Sequence, residues 1–190
     1  MTTIRTTLKL AALALAVTLL GCSGELSDDG APVELVVTNS QNLQILDLAP
    51  NTDPDCTGSI GTIQLLLIPK RSGVTSDFTQ ARITRYRVSY QRTDGGRLVP
   101  APFVRSIDTL LTVGGTASIS QFLVIEPDAI SQAPFAALLP QNGGRDPDTG
   151  RPIVKMDVIV EIFGETLGGD RVYDATRFPL DFCYDCGGCD

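Results

Sequence analysis

Val154-Lys155-Met156-Asp157-Val158-Ile159-Val160-Glu161-Ile162 decides the fold class. Val154, Met156, Val158, Val160 and Ile162 fall on one parity; Lys155, Asp157, Ile159 and Glu161 fall on the other. A period of two puts an apolar row on one face of a pleated strand and a mostly charged row on the opposite face. A helix would scatter the same residues around its circumference. The run therefore reads as a strand with one face on a core. Leu167-Gly168-Gly169-Asp170 is a turn signal, and beyond it Val172, Phe178, Leu180 and Phe182 share one parity again. The two runs make a hairpin. Pro179, which donates nothing to a ladder, places the second strand at an edge or a bulge.

Upstream, the same period recurs. Within Arg82 to Gln91, Tyr86, Val88 and Tyr90 alternate with Arg85, Arg87, Ser89 and Gln91, and Asp94-Gly95-Gly96 then turns the chain. Val33 to Thr38 is rich in β-branched residues. Thr62 to Ile68 is a continuous apolar run ended by Pro69, as expected of a strand buried on both faces. Ser106 to Val113 and Ala117 to Ile125 flank Gly114-Gly115, with Ala117, Ile119, Leu123 and Ile125 on one face of the second. Only Asp128 to Leu139 can hold a helix, and Pro134 limits it to a turn or two. Asn142 to Pro152 is a loop. About seven strands without intervening amphipathic helices predict an all-β fold, an antiparallel β-sandwich over residues 33–190. The spacing and terminal hairpin are compatible with an immunoglobulin-like topology, although tryptophan is absent. Transthyretin-like and jelly-roll sandwiches would show the same pattern.

The N-terminus has a different character. Arg5 and Lys9 precede Leu10 to Leu20, an apolar run too short to span a bilayer stably. Charge, short apolar core and a small residue in that order are those of a secretory signal peptide, here residues 1–21. The run ends Leu19-Leu20-Gly21-Cys22, which resembles the lipobox of bacterial lipoproteins. The resemblance covers only residues 1–22. It implies a diacylglycerol on the Cys22 sulfur, cleavage before that residue, acylation of the new amino group and a membrane-anchored extracytoplasmic protein. Ser23 follows, where an aspartate would mark inner-membrane retention, so the resemblance leans towards the outer membrane. Only one arginine precedes the apolar run, so the twin-arginine signal is missing. Residues 22–32 form the lipidated cysteine and a small, polar tether; its ten residues after Cys22 span at most about 35 Å.

Without residues 1–21 the chain has 13 basic and 22 acidic residues. Such a surface disfavours both nucleic acid and anionic lipid head groups as partners. Histidine is absent, which removes Ser-His-Asp and Cys-His sites, imidazole zinc sites and any histidine base.

With Cys22 taken by lipid, Cys56, Cys183, Cys186 and Cys189 remain, an even number that suggests two disulfides in an exported protein. Position at the end of the last strand favours Cys183 with Cys56, leaving Cys186 with Cys189. Three sharper readings compete. Cys-x-x-Cys-x-x-Cys resembles part of an iron–sulfur run but lacks its proline and fourth ligand. The four thiolates make a Cys₄ zinc set. Cys186-Gly187-Gly188-Cys189 resembles the redox pair of thioredoxin-type oxidoreductases, without the helix that lowers the thiol pKa. Asp146-Pro147-Asp148-Thr149-Gly150, and the pair Asp53 and Asp55, alternate oxygen ligands as calcium loops do, but also read as solvated turns. The acids are plentiful enough for a glycosidase pair, yet nothing places any two face to face. The expected function is a non-catalytic, lipid-anchored sandwich with an envelope protein or cell-wall partner and no cofactor. The rival is a thiol–disulfide or metal-dependent enzyme using the tail cysteines.

Overall fold

A computed structural model describes residues 30–39, 45–49, 62–73, 76–120 and 122–186. Eight strands are present among them: β1 (Val33–Asn39), β2 (Ile45–Asp47), β3 (Ile63–Pro69), β4 (Ala81–Arg92), β5 (Phe103–Leu111), β6 (Thr116–Ile119), β7 (Ile153–Thr166) and β8 (Arg171–Cys183). They form a three-stranded sheet, β1-β3-β6, and a five-stranded sheet, β2-β8-β7-β4-β5. The protein is all-β, and both sheets contribute to one core.

The alternation in β7 is the reason for the layering. Val154, Met156, Val158, Val160 and Ile162 are all buried, and β8 adds Val172, Phe178, Leu180 and Phe182 on the same side. From β4 come Ala81, Ile83, Tyr86 and Val88; the parity shifts by one at Thr84 because a bulge interrupts the register between Ile83 and Arg85. Ile63, Leu65 and Leu67 of β3 and Val33, Leu35 and Val37 of β1 close the core from the other sheet. The β7–β8 turn folds as its glycines suggest, with Gly169 at φ +93° and the Gly169 amide donating to the Thr166 carbonyl at 2.9 Å.

Several expectations are corrected. The apolar run of β3 is buried on one face only: Gln64 is exposed and Leu66 and Ile68 are half-buried. Alternate residues of the run therefore face away from the core. The strand expected to run to Ile125 ends at Ile119; Phe122, Val124 and Ile125 then enter the core as an irregular segment, with Phe122 stacked 4.7 Å from Tyr86. The short helical turn expected after Pro134 is present as a 3-10 turn, Phe135–Leu138, and the described residues hold three more that were not expected, Asp77–Thr79, Pro127–Ser131 and Pro140–Asn142. The pairing is not wholly antiparallel, since β2 runs parallel to β8, with Leu46 opposite Phe182. A three-and-five division with a parallel pair differs from the four-and-three antiparallel sheets of an immunoglobulin constant domain. Pro179 sits where β8 has β7 on one side and has not yet met β2, so a missing donor is tolerated there.

Candidate functional site

Two groups singled out in the sequence, the Asp94 turn and the Asp146 loop, meet at the end of the five-stranded sheet where β4 ends and β7 begins, and Cys183 and Cys186 lie at the same end, where β8 stops. The described residues begin at the opposite end, where the Lys70 amide donates to the Pro32 carbonyl at 3.0 Å.

Arg92 organises the two groups. Its side chain is only 3 % exposed, and those of Asp94 and Asp146 are wholly buried. The guanidinium donates from Nε and Nη2 to the two Asp94 oxygens at 2.7 and 2.9 Å, a fork-to-fork pair. Nη2 also reaches Asp146 Oδ2 at 2.8 Å, and Nη1 reaches the Leu98 carbonyl at 3.1 Å. Asp94 accepts further bonds from the amides of Gly96 (3.1 Å) and Lys155 (3.0 Å), and Asp146 from the Thr149 amide (3.0 Å) and hydroxyl (2.7 Å). A Cβ on Gly96 would overlap Arg92 Nη2, so a side chain there forces the guanidinium to move. Asp148 accepts from the amides of Arg97 and Leu98 at 2.6 and 3.0 Å. The calcium-like spacing of Asp146 and Asp148 thus serves to tie two loops to each other and to β4. Their oxygens face an arginine and backbone donors. The second pair, Asp53 and Asp55, lies outside the described residues.

The electrostatics follow from this packing. Burial opposes charge on every member, and the mutual hydrogen bonds outweigh it: the Arg92 pKa is raised, that of Asp146 is lowered and that of Asp94 falls to about 2. A carboxylate with a depressed native pKa stabilises the fold above its unfolded value of about 3.9, and loses that contribution as pH falls through its native value. Denaturant midpoints of wild type and Asp94→Asn should therefore be well separated at pH 5 and converge as pH approaches 2. A gap that stays constant down to pH 2 would contradict this assignment.

The tail is built differently from the expectation. Cys183 is bonded to Cys186, with Cα atoms 6.1 Å apart, in place of the expected pairs Cys183 with Cys56 and Cys186 with Cys189. Cys56, Cys189 and Cys22 lie outside the described residues. The cause is local. Cys183 is 2 % exposed beside β2, and the chain reverses through Asp185 at φ +55°, a conformation that aspartate tolerates. The Asp47 carboxylate, at the end of β2, accepts from the amides of Asp185 and Cys186, both at 2.8 Å, and fixes that reversal. The sequence reading missed Asp47, because three residues of strand leave no periodic signal. In the chain-entropy model a ring of about four residues contributes about 2 kcal/mol, well below the 4–5 of a bridge spanning 100 residues. Cys186→Ala should therefore cost about 2 kcal/mol. Non-reducing peptide mapping should yield Cys183 and Cys186 in one linked peptide, and a Cys56–Cys183 peptide would contradict the pairing.

The outer face of the five-stranded sheet carries a feature the sequence reading also missed. Phe163 and Tyr173 are register partners on β7 and β8, with ring centroids 5.2 Å apart, and Arg85 of β4 lies 4.8 Å over the Phe163 ring. The Tyr173 hydroxyl donates to Glu161 at 3.2 Å, and Glu161 also faces Arg87 at 3.4 Å. Burial and the neighbouring Glu161 raise the Tyr173 pKa, so the phenol stays protonated. The signal was available, since Arg85 and Tyr173 both oppose Phe163 across the strands, but only the register reveals it. This arrangement offers a cation–aromatic contact surface lining a hollow with Thr84 and Arg171.

No family model matches this chain, and no curated protein is significantly similar to it.

Proposed function

We propose that the protein is an exported lipoprotein: a two-sheet β domain held at the cell envelope by lipid on Cys22, with a binding or structural role and no catalysis. The observation that carries the reading is Leu19-Leu20-Gly21-Cys22 after Arg5, Lys9 and the short apolar run. The folded domain begins at Ala31, which is buried, and Pro32, whose carbonyl accepts from the Lys70 amide, so on this reading the tether is residues 23–30 and not the expected 23–32. Ser23 favours the outer membrane in a cell that has one.

The fate of the reactive groups supports a role without chemistry. Cys186 carries the Asp47 carboxylate on its amide and follows Asp185, and negative charge there disfavours a thiolate. Asp94, Asp146 and Asp148 are engaged by Arg92 and backbone amides. The Arg85–Phe163–Tyr173 surface is available for contact with an envelope partner. Mass spectrometry of the protein extracted from membranes tests the anchor. The N-terminal peptide should begin at Cys22 and carry diacylglycerol and an amide-linked acyl chain. An unmodified Cys22 within a chain that retains residues 1–21 would overturn the reading. Rapid turnover of a dithiol substrate, abolished by Cys186→Ala with the fold intact, would favour the enzymatic rival.

A further inference from the structure

Among the described residues, Phe78 is 71 % exposed, Leu110 55 % and Leu167 51 %, and these three share the end of the protein where the described chain begins, whereas Val104, Leu98, Val99 and Ile45 are exposed elsewhere. The pairings place them together there. Leu110 opposes Arg82 at the start of β4, and Leu167 directly follows Thr166, which opposes Ala81. Phe78 sits on the Asp77–Thr79 turn just before β4. Val33 and Pro69, where β1 begins and β3 ends, mark the same end of the other sheet.

Phe78 is exposed on a rigid support. Ser76 and Thr79 form a reciprocal capping box around the turn: the Phe78 amide donates to Ser76 Oγ at 3.1 Å, and the Ser76 amide to Thr79 Oγ1 at 3.3 Å. Two backbone bonds clamp the segment to the β7–β8 turn, Gly168 N to Phe78 O at 2.9 Å and Leu167 N to Gln80 O at 2.8 Å. A built turn that holds a phenylalanine in water is unexplained by the fold itself, which gains nothing from that ring.

We infer that this end of the protein seats on the bilayer that holds the anchor, with Phe78, Leu110 and Leu167 entering the boundary between head groups and acyl chains. The inference rests on the lipoprotein reading. The length and position of the tether commit the surface to a membrane. Ala31 is buried and the Pro32 carbonyl is bonded to Lys70, so the free tether is residues 23–30, at most about 30 Å when extended, and the lipid brings this end nearest to the bilayer. Aromatic and leucine side chains are those that partition into an interface. Lys70 and Arg71 are exposed on the bend after β3, at head-group level in this orientation, while Asp77 and Asp170 share that end. Apolar contact therefore drives the seating more than net charge.

The absence of tryptophan makes the test clean, since each Trp variant emits from one position. Full-length acylated Phe78→Trp, Leu167→Trp and Val99→Trp proteins are reconstituted in phosphatidylcholine–phosphatidylglycerol vesicles, with ordinary or brominated acyl chains. Val99, 41 % exposed at the opposite end, is the reference. The expected result is a blue-shifted emission at positions 78 and 167, quenched by brominated lipid, with position 99 unquenched. Protein that floats with the vesicles while positions 78 and 99 respond alike overturns the seating and leaves the anchor standing. A blue shift without quenching means that protein, and not lipid, covers the patch, and also overturns it. Failure to float overturns the lipoprotein reading and the seating with it.

Discussion

Arg92→Met destabilises the domain by about 3–5 kcal/mol, the cost of stranding buried carboxylates without their counter-charge. Asp94 and Asp146 are both wholly buried, and Arg92 is the cation bonded to each. Removing it leaves two negative groups facing each other across the vacated space, held only by backbone amides and Thr149. The loops around Asp94 and Asp146 then lose their common tie, so hydrogen exchange should rise first in residues 93–102 and 143–152. Arg92→Lys retains the charge but cannot reproduce the fork that binds both Asp94 oxygens, and should fall between wild type and Arg92→Met. Arg82→Met is the informative comparison. Arg82 also makes a two-toothed pair, with Asp108 at 2.7 Å, but the two side chains are 59 % and 67 % exposed, and water replaces what is lost. Its denaturant midpoint should stay close to wild type. Equal effects at Arg82 and Arg92 would show that burial does not set the strength of these pairs.

The contrast between those two arginines explains much of what the sequence disclosed. Strong alternation in β7 and β8 specified strands, their turn and their buried face, because period two is a local property. Whether the outer face of β3 is covered depends on the rest of the fold, and the run Ile63 to Ile68 does not encode that. β2 has three residues and exists because β8 offers it an edge. At the candidate site the same divide holds. The Asp146 loop was visible as a set of oxygen ligands, but its ligand, Arg92, lies 54 residues away in the chain. The disulfide is hidden for a related reason: position at the end of a strand points to a long-range tether, whereas the short reversal depends on Asp47, which comes from a distant strand. Phe78 carried a hint in Ser76-Asp77-Phe78-Thr79, a capping pattern with an apolar residue inside a polar turn.

The second large effect concerns Cys22, and it is all-or-none. If the sulfur of Cys22 accepts the diacylglycerol, Cys22→Ser removes the only atom to which that lipid can attach. Cleavage that follows lipidation then fails as well, and the chain remains a precursor that keeps residues 1–21. The folded domain should be untouched, since its core begins at Ala31. Circular dichroism of the variant should show the same predominantly β signal as wild type. Metabolic labelling with a fatty-acid analogue is the direct test of the central claim. The wild-type protein should incorporate the label and Cys22→Ser should not, while running larger by the mass of the leader. Equal labelling of the two would contradict the lipid-anchored account.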